Sequence, residues 1–181
     1  MKIFKILMLF ATVLFAFSPQ KLVTDARSQI GVTIYYDPSY SSLAYPMGDV
    51  EISKGVCSDV LVRALRLQNI DLQKLIHDDM AKNFSSYPKK WGLKRTDKNI
   101  DHRRVLNIAT YLKRRGLEVN DATFMPGDIL TWQLPGNLPH IGIVSDKFNG
   151  STPLIIHNIG SGTQEEDILD RFKLTGHFRI K

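Results

Sequence analysis

Cysteine is almost missing: Cys57 is the single one in 181 residues. One cysteine permits no internal disulfide, whereas exported folds often use cysteines in pairs. Cys57 is therefore either an inert buried residue or a thiol kept for its chemistry. Other signatures are missing too. There is no Gly-x-Ser-x-Gly elbow, so the usual serine hydrolase arrangement fails. There is no His-Glu-x-x-His, so the common zinc peptidase signature fails. No glycine-rich phosphate loop, internal repeat or low-complexity tract is present. The long apolar run, Ile6 to Phe17, is short of the ~20 residues that a membrane-spanning helix needs. No cysteine lies near that run, which excludes lipid attachment there.

What the amino terminus does have is Lys2 and Lys5, the apolar run, and a polar stretch from Ser18. This reads as a secretory signal peptide over residues 1–18, followed by a single domain over 19–181. An uncleaved anchor or a buried helix is the competing reading. Ala16 and Ser18 are small enough to precede a cut, although Pro19 makes cleavage after Ser18 awkward. The expected location is periplasmic or secreted, with membrane contact only through this segment. The remainder, about 160 residues, suffices for one core. The net charge is +6, or +4 without Lys2 and Lys5. A mildly basic exported protein suits an anionic envelope polymer. Nucleic acid is not expected: Lys113, Arg114 and Arg115 sit at one helix end, where cations favour the dipole, and no aromatic platform accompanies them.

The first half reads as helical. Helices are expected over Leu22–Gln29, over Cys57–Gln68, from a cap at Asp71 to Pro88, and from a cap at Asp101 to Gly116. The second half reads as strands: Asp128–Leu134, His140–Ser145, Leu154–Asn158 and His177–Lys181, with a short amphipathic helix over Glu165–Phe172. Helices first and strands after predict an α+β domain, with N-terminal helices packed on a C-terminal antiparallel sheet.

Cys57 opens one of these helices. The N–H groups and partial positive charge of a helix N-terminus favour a thiolate and can hold an oxyanion. Asp59 in the same turn opposes the thiolate, or instead braces the loop. His140 begins a strand, where a base for the thiol can face a cleft. His157 and Asn158 end the next strand on opposite faces, so only one can orient His140; His157 is preferred, and Asn158 is grouped with the substrate or oxyanion candidates. Tyr36 is either a cleft-lining hydrogen-bond donor near the oxyanion or a packed aromatic. His102, Arg103 and Arg104 are candidates for binding a substrate carboxylate, and Asp128 for fixing the Met125-Pro126-Gly127 turn. A competing reading makes Cys57, His140 and His157 a zinc site; no metal or cofactor is expected.

Seven stretches carry a resemblance: Tyr36-Asp37-Pro38, Gly55-Val56-Cys57-Ser58-Asp59-Val60, Asn99-Ile100-Asp101-His102-Arg103-Arg104, Pro126-Gly127-Asp128, His140-Ile141-Gly142-Ile143-Val144, His157-Asn158-Ile159-Gly160 and Gly176-His177-Phe178-Arg179. They cover nearly all of the mature chain. On them the chain resembles a bacterial family of exported proteins catalogued as a domain of unknown function, within the NlpC-type and papain-like cysteine peptidases. The wider clan usually has Asp-Cys-Ser-Gly at the nucleophile, where this chain has Val-Cys-Ser-Asp. The resemblance implies a papain-like core, with Cys57, His140 and His157 as the triad positions. The expected activity is amide hydrolysis in peptidoglycan peptides or another envelope peptide polymer. The alternative is a non-catalytic envelope-binding or assembly protein on a hydrolase fold.

Overall fold

The computed structural model describes residues 17–181. The expected signal segment therefore lies almost wholly outside the described residues. Helix α1 (Pro19–Arg27) starts where the sequence signals a start: the Ser18 hydroxyl accepts from Lys21 N–H at 3.2 Å and Pro19 takes the first turn. Its inner face is Leu22, Val23 and Ala26. Two short strands follow and pair in parallel, β1 (Tyr35–Tyr36) and β2 (Lys54–Gly55). They bring the Tyr36 loop alongside the residues that precede Cys57.

Helix α2 (Cys57–Arg66) is buried along nearly its whole length. The Asp59 carboxylate accepts the Val56 N–H at 2.7 Å and closes the first turn. Helix α3 (Leu72–Lys82) is capped by Asp71, which accepts from Gln73 N–H. It ends six residues before Pro88, in a 3-10 turn at Phe84–Ser86. Helix α4 (Val105–Arg114) closes as expected at Gly116. The Leu117 N–H reaches Leu112 O at 3.1 Å and the Gly116 N–H reaches Lys113 O at 2.9 Å. Gly116 at φ 70° supplies the left-handed residue that this ending requires. Asp101 does not cap α4. Asp101–Arg103 form a separate 3-10 turn, and the Asp101 carboxylate takes the Asp97 N–H and the His77 ring.

The α+β architecture expected from the sequence is the one observed. Five strands make one antiparallel sheet: β3 (Ile129–Leu134), β4 (Leu138–Asn149), β5 (Thr152–Asn158), β6 (Thr163–Glu166) and β7 (Lys173–Phe178), in the order β6-β5-β4-β3-β7. Alternation divides its faces. Ile129, Ile141, Ile143 and Ile156 pack with α1, α2 and α4, while Leu130, Trp132, Val144 and Ile155 form a second cluster with Ile168 and Leu169.

Two expectations fail here. Glu165–Phe172 is not a helix: Glu165 and Glu166 pair with Ile156 and Ile155 as the end of β6, and the chain then turns. The helix-like spacing of Ile168, Leu169 and Phe172 arises because a turn also carries apolar residues inward, and Ile168 and Leu169 are indeed buried. The last strand is Lys173–Phe178 rather than His177–Lys181.

Candidate active site

The site assembles where the start of α2 meets the start of β4. Gly55 and Val56 run into Cys57, and the approach is pinned from two sides. The Asn158 amide donates to Gly55 O at 3.2 Å, and the Arg103 guanidinium grips the Asp59 carboxylate at 2.9 Å. Both members of that ion pair are buried. Arg103 also donates to Ser39 O and Asp37 O. One side chain thus ties the Tyr36 loop to the first turn of the Cys57 helix.

Cys57, Tyr36, His140, Arg103, Arg104 and Trp91 share the wall of one cavity of about 400 Å³. That is in the range of small-molecule sites. The Cys57 sulfur sits against the backbone N–H groups of Ile141, Ser58 and Cys57 itself, each of which favours the thiolate. Burial outweighs them, with Asp59 adding to it, and the thiol is pushed up to about 12. The expectation that the helix N-terminus makes Cys57 anionic is thereby corrected: the resting group is a thiol. Burial likewise pushes His140 down to about 3, helped by His157, so the resting ring is neutral.

The two histidines meet as the strand order implies. His140 Nε2 lies 3.0 Å from His157 Nδ1, with the rings edge to face. The β4–β5 ladder runs only as far as Ile143–Ile156, and alternation puts His140, Gly142 and His157 on one face. Gly142 makes the room. A Cβ on it would come within 2.5 Å of Ile155 Cγ2 and 3.2 Å of His157 Cβ. Trp132 packs on the other side of His140, at 6.0 Å between centroids. No hydrogen bond joins Cys57 to His140 among the described residues, and His140 meets His157 through Nε2, which leaves Nδ1 as the ring nitrogen not engaged with His157.

Beyond His157 is a residue that the sequence reading missed. Glu166 Oε2 is 3.3 Å from His157 Nε2, close but out of hydrogen-bond alignment. Burial lowers the basicity of His157, and the Glu166 carboxylate works against that. Reading Glu165–Phe172 as a helix hid this contact. In a strand, Glu165 and Glu166 point to opposite faces: Glu165 joins Arg27, Ser145 and Lys147, and Glu166 faces His157.

Other candidates are placed as follows. Tyr36 lines the cavity, and burial followed by the neighbouring Cys57 and Asp59 raises its phenol to about 12, so it is a donor at ordinary pH. Asn158 is a buried brace: its amide holds Gly55 O and Tyr35 O while its oxygen takes the Gly160 N–H. It lines no part of the cavity, so its role as a substrate or oxyanion group is corrected. His102 is buried behind the wall, pushed down to about 4 by burial and by Arg66 and Arg103, and does not reach the cavity. Arg103 reaches the wall but spends its donors on Asp59 and the loop carbonyls. Asp59 meets both of its readings: it braces the loop through Val56 N–H and Arg103, and its charge opposes the thiolate. Asp128 does fix its turn, accepting from Met125 N–H at 2.8 Å, and it also holds His177 and Arg179. Among the described residues no cluster of three or more His, Cys, Asp or Glu side chains is arranged to hold a metal.

Among solved structures the chain is similar to "Structure of NlpC1 from Trichomonas vaginalis". The TM-score is 0.48 at 14% identity, over 93% of this chain and 46% of that one. For "Structure of NlpC2 from Trichomonas vaginalis" the TM-score is 0.46 at 15% identity, over 91% and 48%. The chain thus spans less than half the length of each. It is 56% identical over 163 residues to "Uncharacterized protein YijF" of Escherichia coli (strain K12), covering 87% of this chain and 80% of that one. The family model described as "Domain of unknown function (DUF1287)" matches residues 23–180, and the chain belongs to that family.

Proposed function

We propose that the protein is a cysteine hydrolase that cleaves an amide bond in an envelope peptide, with peptidoglycan stem peptides as the substrate class. The observation that carries this is the 3.0 Å contact of His140 Nε2 with His157 Nδ1, on the wall of a cavity that also holds Cys57. Glu166 beside His157 Nε2 favours the proton on that nitrogen. His157 Nδ1 is then the acceptor, His140 Nε2–H the donor, and His140 Nδ1 an open lone pair. A neutral thiol and a neutral imidazole suit general-base attack: His140 Nδ1 takes the proton as sulfur bonds to the carbonyl carbon. The N–H groups of Cys57 and Ser58, with the Tyr36 hydroxyl, would hold the oxyanion. The imidazolium then protonates the leaving amine, and water releases the acyl group by the same route. The envelope assignment is supported by Lys2, Lys5 and the apolar run that follows.

The test is to incubate purified protein, under reducing conditions, with peptidoglycan digests and to weigh the fragments by mass spectrometry. New amine and carboxylate ends that vanish with Cys57→Ala are expected. Intact substrate across pH 4–9 would remove the hydrolase reading. A second reading, a non-catalytic envelope-binding protein on the same framework, is favoured by one observation: burial keeps both Cys57 and His140 neutral, with no bond between them. Peptide binding equal in wild type and Cys57→Ala, without cleavage, would support it.

A further inference from the structure

The cavity beside Cys57 has one-sided charge. Arg103 and Arg104 line it, and no Asp or Glu does. Arg103 is neutralised by Asp59. Arg104 has no acidic partner among the described residues, and its Nη1 is buried without any hydrogen-bond partner. A guanidinium nitrogen deprived of both water and an acceptor is costly, unless a ligand supplies the acceptor. Nor does the helix account for Arg104. It occupies the residue before α4, where its side chain caps nothing. Its guanidinium lies 5.1 Å from the Trp91 ring, which lines the same cavity. Contact with an aromatic face holds the planar fork in one attitude, and that fork matches two carboxylate oxygens. Lys90, 5.2 Å from the same ring, is a second cation beside Trp91.

We propose that Arg104, backed by Trp91, is an anion subsite that takes a free carboxylate of the bound peptide. Resting on the hydrolase reading, it narrows the substrate to amides with a carboxylate close to the scissile bond. Of the three carboxylate-binding candidates read from the sequence, His102, Arg103 and Arg104, it leaves the role to Arg104 alone.

The subsite is tested by binding, apart from turnover. Full-length Cys57→Ala protein is titrated with N-acetyl-alanyl-alanine and, separately, with its C-terminal amide. The Trp91 indole and Arg104 Nε resonances are followed by NMR. The expected result is that the acid binds about tenfold tighter than the amide. Arg104→Gln should bind both equally, and Arg104→Lys should keep part of the preference. Arg104→Gln must melt like its parent; if it does not, Arg104→Lys and the acid-to-amide ratio of the parent decide. Equal binding of acid and amide to the parent, no binding of either, or an undiminished preference in Arg104→Gln overturns the proposal. The hydrolase reading fails separately: a preference for the acid with no cleavage by wild type leaves the subsite standing and removes the enzyme. Cleavage of acid and amide substrates at equal kcat/KM does the reverse.

Discussion

At the scale of the residue, chemistry hangs on which protons are where. Burial holds Cys57 as a thiol and His140 as a neutral ring. The rate of iodoacetamide alkylation at Cys57 should therefore climb steadily from pH 6 to pH 9, with no plateau at acid pH; a plateau below pH 6 would reveal a standing thiolate–imidazolium pair instead. Replacing His140 with alanine should slow alkylation at pH 8 and lower turnover by a factor of about 10² to 10⁴. Glu166→Gln should lower kcat by about tenfold with KM little changed, because it acts on the tautomer of His157 and touches no substrate. An unchanged kcat would leave Glu166 outside the relay. The triad candidates were legible from residue type and order: a cysteine at a helix start, a histidine at a strand start, a polar residue on the next strand. The protonation state was not, because it follows from burial, which spacing along a chain does not report.

At the scale of the element, α2, the 3-10 turn before α4 and the Tyr36 loop are held to one another by buried charge. Asp59 and Arg103 face each other with side chains 4% and 2% exposed. Arg103→Met would leave a buried carboxylate uncompensated, at a cost of about 3–5 kcal/mol in denaturant unfolding. Gly142 is a second element-scale device. The Cβ of Gly142→Ala would press on Ile155 and His157, which should cost about 1–3 kcal/mol and move the His157 ring. A His157 NMR shift unchanged in that variant would show that the strands absorb the methyl elsewhere. Helix α2 was readable because its apolar positions recur at helical spacing around Val60, Leu61, Ala64 and Leu65. Strand β6 was not. Its four residues are polar, Thr163 buried and the other three half-buried, and only pairing with β5 makes them a strand. Asp101 misled for a related reason: an aspartate ahead of an apolar run looks like a cap, yet groups on its N-terminal side, the His77 ring and the Asp97 N–H, claimed its carboxylate.

At the scale of the whole molecule, the pattern of helices then strands translated directly into layers on one face of the sheet, where the helices cover it, while the turn carrying Ile168 and Leu169 covers the other. The same burial makes the fold sensitive to acid. His140 and His102 stay neutral in the folded chain down to about pH 3 and pH 4, while in the unfolded chain they take protons near pH 6.5. The unfolded state thus binds more protons between those values, so stability is full above pH 6.5 and is lost as pH falls toward 3–4. Thermal melting should drop between pH 7 and pH 4, and His102→Asn should flatten that drop; a melting temperature level over this range would refute the assignment. A sulfur that keeps its proton at rest has one more consequence. Peroxide and disulfide exchange both require the anion. Cys57 should thus resist sulfenic acid formation and mixed-disulfide capture in oxidising surroundings, becoming vulnerable only while a ligand draws its proton away.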